Sequence, residues 1–135
     1  MTRIVLISPL MLAACAASES AVRPYAPVYL GAEAALLGDG DEGAGEAGLV
    51  QVSAAMRGAR TTGDVEDYAA CAMAQLAVDE GYGFARHLRT RLQERGGVSS
   101  ADTVYTLSSD KPRGLVMIDT KDAVETCAEH DIPTV

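Results

Sequence analysis

From Leu49 onward, runs whose apolar residues recur every second position give way to runs with a spacing of three to four, and then back again. LVQVSAAMR (Leu49 to Arg57) alternates loosely and predicts a strand. GARTTGD turns the chain, and Thr62 or Asp64 can cap a helix, with Glu66 and Asp67 where the helix dipole favours acids. That helix is predicted from about Val65 to Glu80. Val65, Ala69, Ala72 and Leu76 form its buried stripe, with Tyr68 and Met73 on the flanks. Gly81 and Gly83 end it. FARHLRTRL (Phe84 to Leu92) reads as a strand with Phe84, Leu88 and Leu92 on one face and Ala85, His87, Arg89 and Arg91 on the other. ERGGVSS turns into DTVYTLS (Asp102 to Ser108), the second strand of a hairpin. DKPRG is a further turn, LVMID (Leu115 to Asp119) a short apolar strand, and TKDAVETCAEH (Thr120 to His130) a final short helix opened by a Thr cap. The order β-α-β-β-β-α predicts an α+β fold over residues 49–135: a small sandwich, with an antiparallel-rich sheet packed on one main helix.

The first 48 residues follow neither period. Arg3, the apolar run Ile4 to Leu12 and the small residues after it have the layout of a secretory signal peptide, so residues 1–14 are assigned to one. The run is too short to cross a bilayer, which takes about 20 residues, and Pro9 interrupts it. Residues 15–48 read as a flexible tether. RPYAP (Arg23 to Pro27) favours extended backbone, and GDGDEGAGEAG (Gly38 to Gly48) is too polar and Gly-rich to repay its chain entropy by burial. A coil of that length spans on the order of 30 Å. Gly38, Gly40 and Gly43 spell GxGxxG, but Asp39, Asp41 and Glu42 would repel a pyrophosphate. A calcium loop fails too, with Gly43 and Val50 where oxygen ligands belong.

At 135 residues the chain is one domain long. Aromatic residues make up 4% of it and Trp is absent, so the core is small and alanine-rich. The net charge of −8 argues against non-specific nucleic-acid binding and against a face lying broadly on an anionic membrane.

Leu12-Ala13-Ala14-Cys15 resembles the bacterial lipobox. The resemblance implies that Cys15 receives a diacylglyceryl group, that cleavage leaves it as the first residue, and that the protein is held on a bilayer by acyl chains. Two or more chains anchor stably, at about 0.8 kcal/mol per buried CH₂. Ala16 after the cysteine resembles outer-membrane rather than inner-membrane sorting. Further on, YAACAMAQLAVDEGYGFARHLRT, ADTVYTLSSDKPRGL and CAEHDIPTV are similar to a group of small uncharacterised alphaproteobacterial lipoproteins. That resemblance implies a periplasm-facing address in the cell envelope and brings no chemistry with it.

The candidate chemistry is sparse. Cys71 and Cys127 would meet an oxidising compartment after export, where an even pair bridges. Closing so long a loop is worth about 4 kcal/mol in loop-closure entropy. The rival use of these residues is a metal site, with Cys127 and His130 on one helical face joined by Cys71 and His87 in a Cys₂His₂ set. Arg86, His87, Arg89 and Arg91, with Arg95, make a basic strand in an acidic chain. It is either a solvated strand whose charges discourage edge pairing, or a patch for an anionic partner such as an acidic envelope protein or a cell-wall component. Arg113 extends it if the turn folds back. No GxSxG or CxxC motif appears, and a lone His87 without a nucleophile makes no catalytic site. The reading is a membrane-anchored envelope lipoprotein with a small binding or structural domain and no cofactor. The alternative is a metal- or redox-responsive domain.

Overall fold

The computed structural model describes residues 24–39, 46–111, 113–114 and 116–134. The proposed signal peptide and Cys15 lie outside the described residues. Seven elements follow one another: β1 (Val28–Asp39), β2 (Glu46–Arg57), α1 (Thr62–Asp79), β3 (Phe84–Arg95), β4 (Val98–Ser108), β5 (Ile118–Asp119) and α2 (Thr120–Glu129). The strands form one sheet in the order β1-β2-β4-β3-β5, and every neighbouring pair is antiparallel. The protein is α+β, with both helices in a layer on one face of the sheet, α1 crossing the strands and α2 packed mainly on α1.

One expectation needs correcting. The order is β-β-α-β-β-β-α, because residues 28–39, expected in the tether, form a full strand paired with β2. The pairing slips between Tyr29 and Gly31 and again between Leu36 and Gly38, so the period of two breaks at both ends of β1. Between the slips the inward positions are Ala32, Ala34 and Leu36, and two alanines out of three give little local signal in an alanine-rich background. The glycine-rich acidic stretch is therefore the connection of a β-hairpin. Its residues 40–45 lie outside the described residues. The segment before β1 is also seated: a Cβ on Gly58, in the β2–α1 turn at φ +74°, would stand 2.8 Å from the Ala26 carbonyl oxygen.

The core lies where α1 meets the two central strands. Val50, Val52 and Met56 of β2, with Tyr105 and Leu107 of β4, face Val65, Ala69, Ala72, Met73 and Ala77 of α1. Small alanines let the helix sit close to the sheet, and Tyr29 of β1 packs edge-on against Tyr68 at 4.7 Å between ring centroids. Thr61 occupies the N-cap of α1 without a side-chain bond. Instead Asp64 reaches back and accepts from the Arg60 backbone N–H at 2.7 Å and the Arg60 guanidinium at 3.2 Å. At α2 the capping side chain is Asp119, one residue before the Thr120 expected: its carboxylate accepts from Lys121 N and Asp122 N, both at 3.1 Å. Thr120 is buried and donates to the Tyr82 carbonyl at 2.7 Å, tying α2 to the end of α1. The expected strand from Leu115 contracts to Ile118–Asp119. Val116 is 94% exposed and Leu115 lies outside the described residues.

Candidate functional site

The sheet face opposite the helices is covered by no element among the described residues, and it collects positive charge. The cause is one extra residue in β3. His87 stands opposite Tyr105 and Arg89 opposite Val104, which leaves Leu88 as a bulge. Before the bulge, Arg86 shares its face with Thr106. After it, Arg89, Arg91 and Arg95 share that same outer face with Val104, Asp102 and Val98. Arg57 joins them through its pairing with Val98, and its guanidinium donates to the Gly96 carbonyl at 3.4 Å in the β3–β4 turn. Five of the chain's 11 Lys and Arg residues thus lie on one face of a protein of net charge −8. The carboxylates Glu33 and Asp102 share that face, Asp102 accepting from Ser53 Oγ at 2.6 Å. Most acids of the helical layer, from Asp64 to Glu80 and from Asp119 to Asp131, have no cation of the sheet near them in sequence or register.

Strict alternation places His87 with Arg89 and Arg91. The bulge separates them: His87 belongs to the helix-side face, with its ring edge-on to Tyr105 at 5.4 Å between centroids. Its Nε2 lies 2.6 Å from Thr90 Oγ1. Thr90 donates to Thr103 Oγ1 at 3.1 Å, and Thr103 donates to the Arg89 carbonyl at 3.0 Å. With the Thr90 hydrogen committed to Thr103, His87 Nε2–H is the donor of the first bond. The chain His87–Thr90–Thr103 ends on the backbone of the bulge itself and holds it in place. His87 therefore does not line the arginines' face.

Cys71 and Cys127 form a disulfide between α1 and α2, with Cα atoms 5.9 Å apart. Beside it opens a cleft of about 270 Å³ between the helices, lined by Asp67, Ala70, Thr126, His130 and Ile132. Burial, with the neighbouring Asp64 and Glu66 carboxylates, pushes the Asp67 carboxyl up, and His130 opposes that. Of the four residues in the proposed metal set, the structure brings Cys71, Cys127 and His130 to this cleft, the two sulfurs bonded to each other. His87 stacks on Tyr105 of β4 instead. Among the described residues no group of three or more His, Cys, Asp or Glu is placed to hold a metal ion. Arg113 is exposed in the loop after β4.

The YNQ4 C-terminal domain family matches residues 29–131. The chain belongs to that family. A relative of this YNQ4 domain is the "Uncharacterized 26.9 kDa protein in nqo8 5'region" of Paracoccus denitrificans, 37% identical over 105 residues. Those residues are 78% of this chain and 40% of the relative, so the chain spans less than half of the relative's length. No solved structure matches the chain significantly. The YNQ4 domain is thus of an uncharacterised, alphaproteobacterial type. Its match starts at Tyr29, inside β1, in keeping with a first strand that belongs to the domain.

Two features of the YNQ4 domain were hidden from its sequence. One is the face shared by all four β3 arginines. Its signal was the spacing Arg86, Arg89, Arg91: an interval of three followed by two needs a bulge if the residues are to share a face. The other is the Asp64–Arg60 closure of α1. An acid three residues into a helix was its signal.

Proposed function

We propose that the protein is a membrane-anchored lipoprotein of the bacterial cell envelope, tethered through acylated Cys15, whose small domain is a binding module that presents its open sheet face to an anionic partner. The observation that carries the binding reading is the Leu88 bulge, which turns Arg89, Arg91 and Arg95 to the same outer face as the half-buried Arg86 and leaves those three exposed. The core needs no such arrangement, because the helical layer packs on the other face of the sheet. The envelope reading is supported by division of labour among the three cysteines: two bridge α1 to α2, as exported domains of this size do, and the third ends an apolar N-terminal run. Among the described residues no helix is long and apolar enough to cross a membrane.

The test is fractionation of the tagged full chain beside Cys15→Ser, with metabolic labelling by radioactive palmitate. Label and membrane association in the parent, both lost in Cys15→Ser, are the expected result. An unlabelled parent that fractionates as a free soluble protein would overturn the anchor. A second reading, a redox-responsive domain, draws on His130 and Asp67 beside the disulfide. It requires the reduced protein to retain zinc through dialysis, and the oxidised protein to lose it.

A further inference from the structure

The free edge of β3 deepens the proposed contact face and rests on that reading. β5 pairs only with Phe84 and Ala85. From Arg86 to Arg95, the side of β3 away from β4 has no strand beside it among the described residues. We propose that this edge receives an extended acidic segment of a partner polypeptide, which adds to the sheet as a further strand with its carboxylates against the exposed Arg89, Arg91 and Arg95.

Three observations select this occupant. First, a strand edge leaves backbone N–H and C=O groups alternating toward solvent, and another polypeptide strand supplies acceptors and donors at the same spacing. A phosphate polymer or a lipid headgroup offers acceptors alone, so it would use the arginines and waste the edge. Secondly, after the bulge Arg89, Arg91 and Arg95 fall in one row of same-face positions, which repeats about every 6.8 Å along a strand. Acids at alternate positions of an added strand repeat at the same distance and fall directly opposite. Gln93 takes the one same-face place between Arg91 and Arg95, and matches a neutral polar residue in the incoming segment. Thirdly, the charge excludes a second copy of β3 as the guest. Antiparallel pairing of β3 with itself sets arginine against arginine on the same face, which is destabilising. β1, the opposite edge of the sheet, has Glu33 and no cation among its described side chains, so it does not share this charge pattern.

Arginines on an edge also keep stray strands away. That effect sharpens the proposal: a cationic edge rejects neutral and basic strands and admits an acidic one, so the same residues give rejection and selection.

The experiment uses the full chain in non-ionic detergent and a fluorescein-labelled nonapeptide of alternating Glu and Thr, read by fluorescence anisotropy. Three competitors accompany it: the same peptide N-methylated at alternate backbone nitrogens, the same composition with all Glu in one block, and inorganic polyphosphate. The expected result is saturable binding of the alternating peptide, weakened about tenfold or more by N-methylation and by Arg89→Ser/Arg91→Ser, since each loss removes several charge-assisted or backbone hydrogen bonds. Thermal melting of the Arg variant, close to that of the parent, establishes that it is folded. If the N-methylated peptide and polyphosphate bind as well as the alternating peptide, and all are weakened by the Arg variant, strand addition is overturned while the contact face stands. If no anion binds in an arginine-dependent way, both fail. Salt-sensitive self-association of the protein alone would give the face to a second copy and overturn the proposal.

Discussion

Asp64 shows how much of a helix start can rest on one carboxylate. The N-cap Thr61 makes no side-chain bond, so the backbone N–H of Arg60 and its guanidinium both converge on Asp64. The hydrogen bond from the Arg60 side chain holds the Asp64 carboxyl below its ordinary value. A carboxyl lowered in the folded state contributes stability that is complete above its unfolded value, about pH 4, and is lost as pH falls through the folded one. Asp64→Asn is therefore expected to cost about 1 kcal/mol at neutral pH, the usual worth of a helix-terminal acceptor. The difference from the parent should shrink below about pH 4, which urea melts across pH will show. Gly58 makes the second residue-level case. At φ +74°, with the Ala26 carbonyl oxygen 2.8 Å from where a Cβ would be, alanine meets both a disfavoured backbone and a backbone clash. Gly58→Ala is expected to lower stability by about 1–3 kcal/mol. An unchanged melting temperature would show that the residues before β1 do not press on this turn.

Among the elements, α2 is the one held most by a single bond. It buries Thr120 and Cys127 and packs chiefly on α1. The Cys71–Cys127 bridge spans 56 residues, a closure worth about 4 kcal/mol. Reduction, or Cys71→Ser/Cys127→Ser, is expected to release that amount in denaturant melts and to raise amide exchange in α2 before α1. Uniform exchange in both helices would mean that α2 is held by its packing instead. β3 is an element whose meaning changed between sequence and structure. Its residue types announced a strand, and its alternation assigned His87, Arg89 and Arg91 to one face. The inserted Leu88 altered that assignment, because a bulge shifts every later side chain by one place in the pleat. The hydrogen bonds that stabilise the bulge come from Thr90 and Thr103, and Thr103 lies on a different strand. No reading of β3 alone contains them.

For the molecule as a whole, the decisive question is where the domain begins. The boundary at residue 49 omits β1, which covers one edge of β2 and brings Tyr29 onto Tyr68. A fragment of residues 49–135 exposes the backbone of β2 along its whole length, and it is expected to aggregate or melt well below a fragment of residues 24–135. Size-exclusion chromatography and thermal melts of the two fragments check this, and equal behaviour would return residues 24–48 to the role of a tether. The whole molecule is also polarised in charge, with acids over the helical layer and arginines over the open sheet. A net charge of −8 averages that polarity away.

Local chemistry was enough to determine most of the elements. Helical spacing in α1, the paired runs of β3 and β4, and the presence of a short helix from Thr120 all appear in the sequence, since each depends on residues within one or two turns or on one hairpin. The pair Cys71 and Cys127 was also named there as an expected bridge, and the structure joins the two sulfurs. Tertiary structure alone decided the rest. β1 is a strand because β2 offers it an edge, and its alanines and two register slips erase the local period. The arginines share a face because a bulge is held by a side chain from the neighbouring strand. Both facts depend on partners distant along the chain, and a periodicity measured within one segment has no term for them.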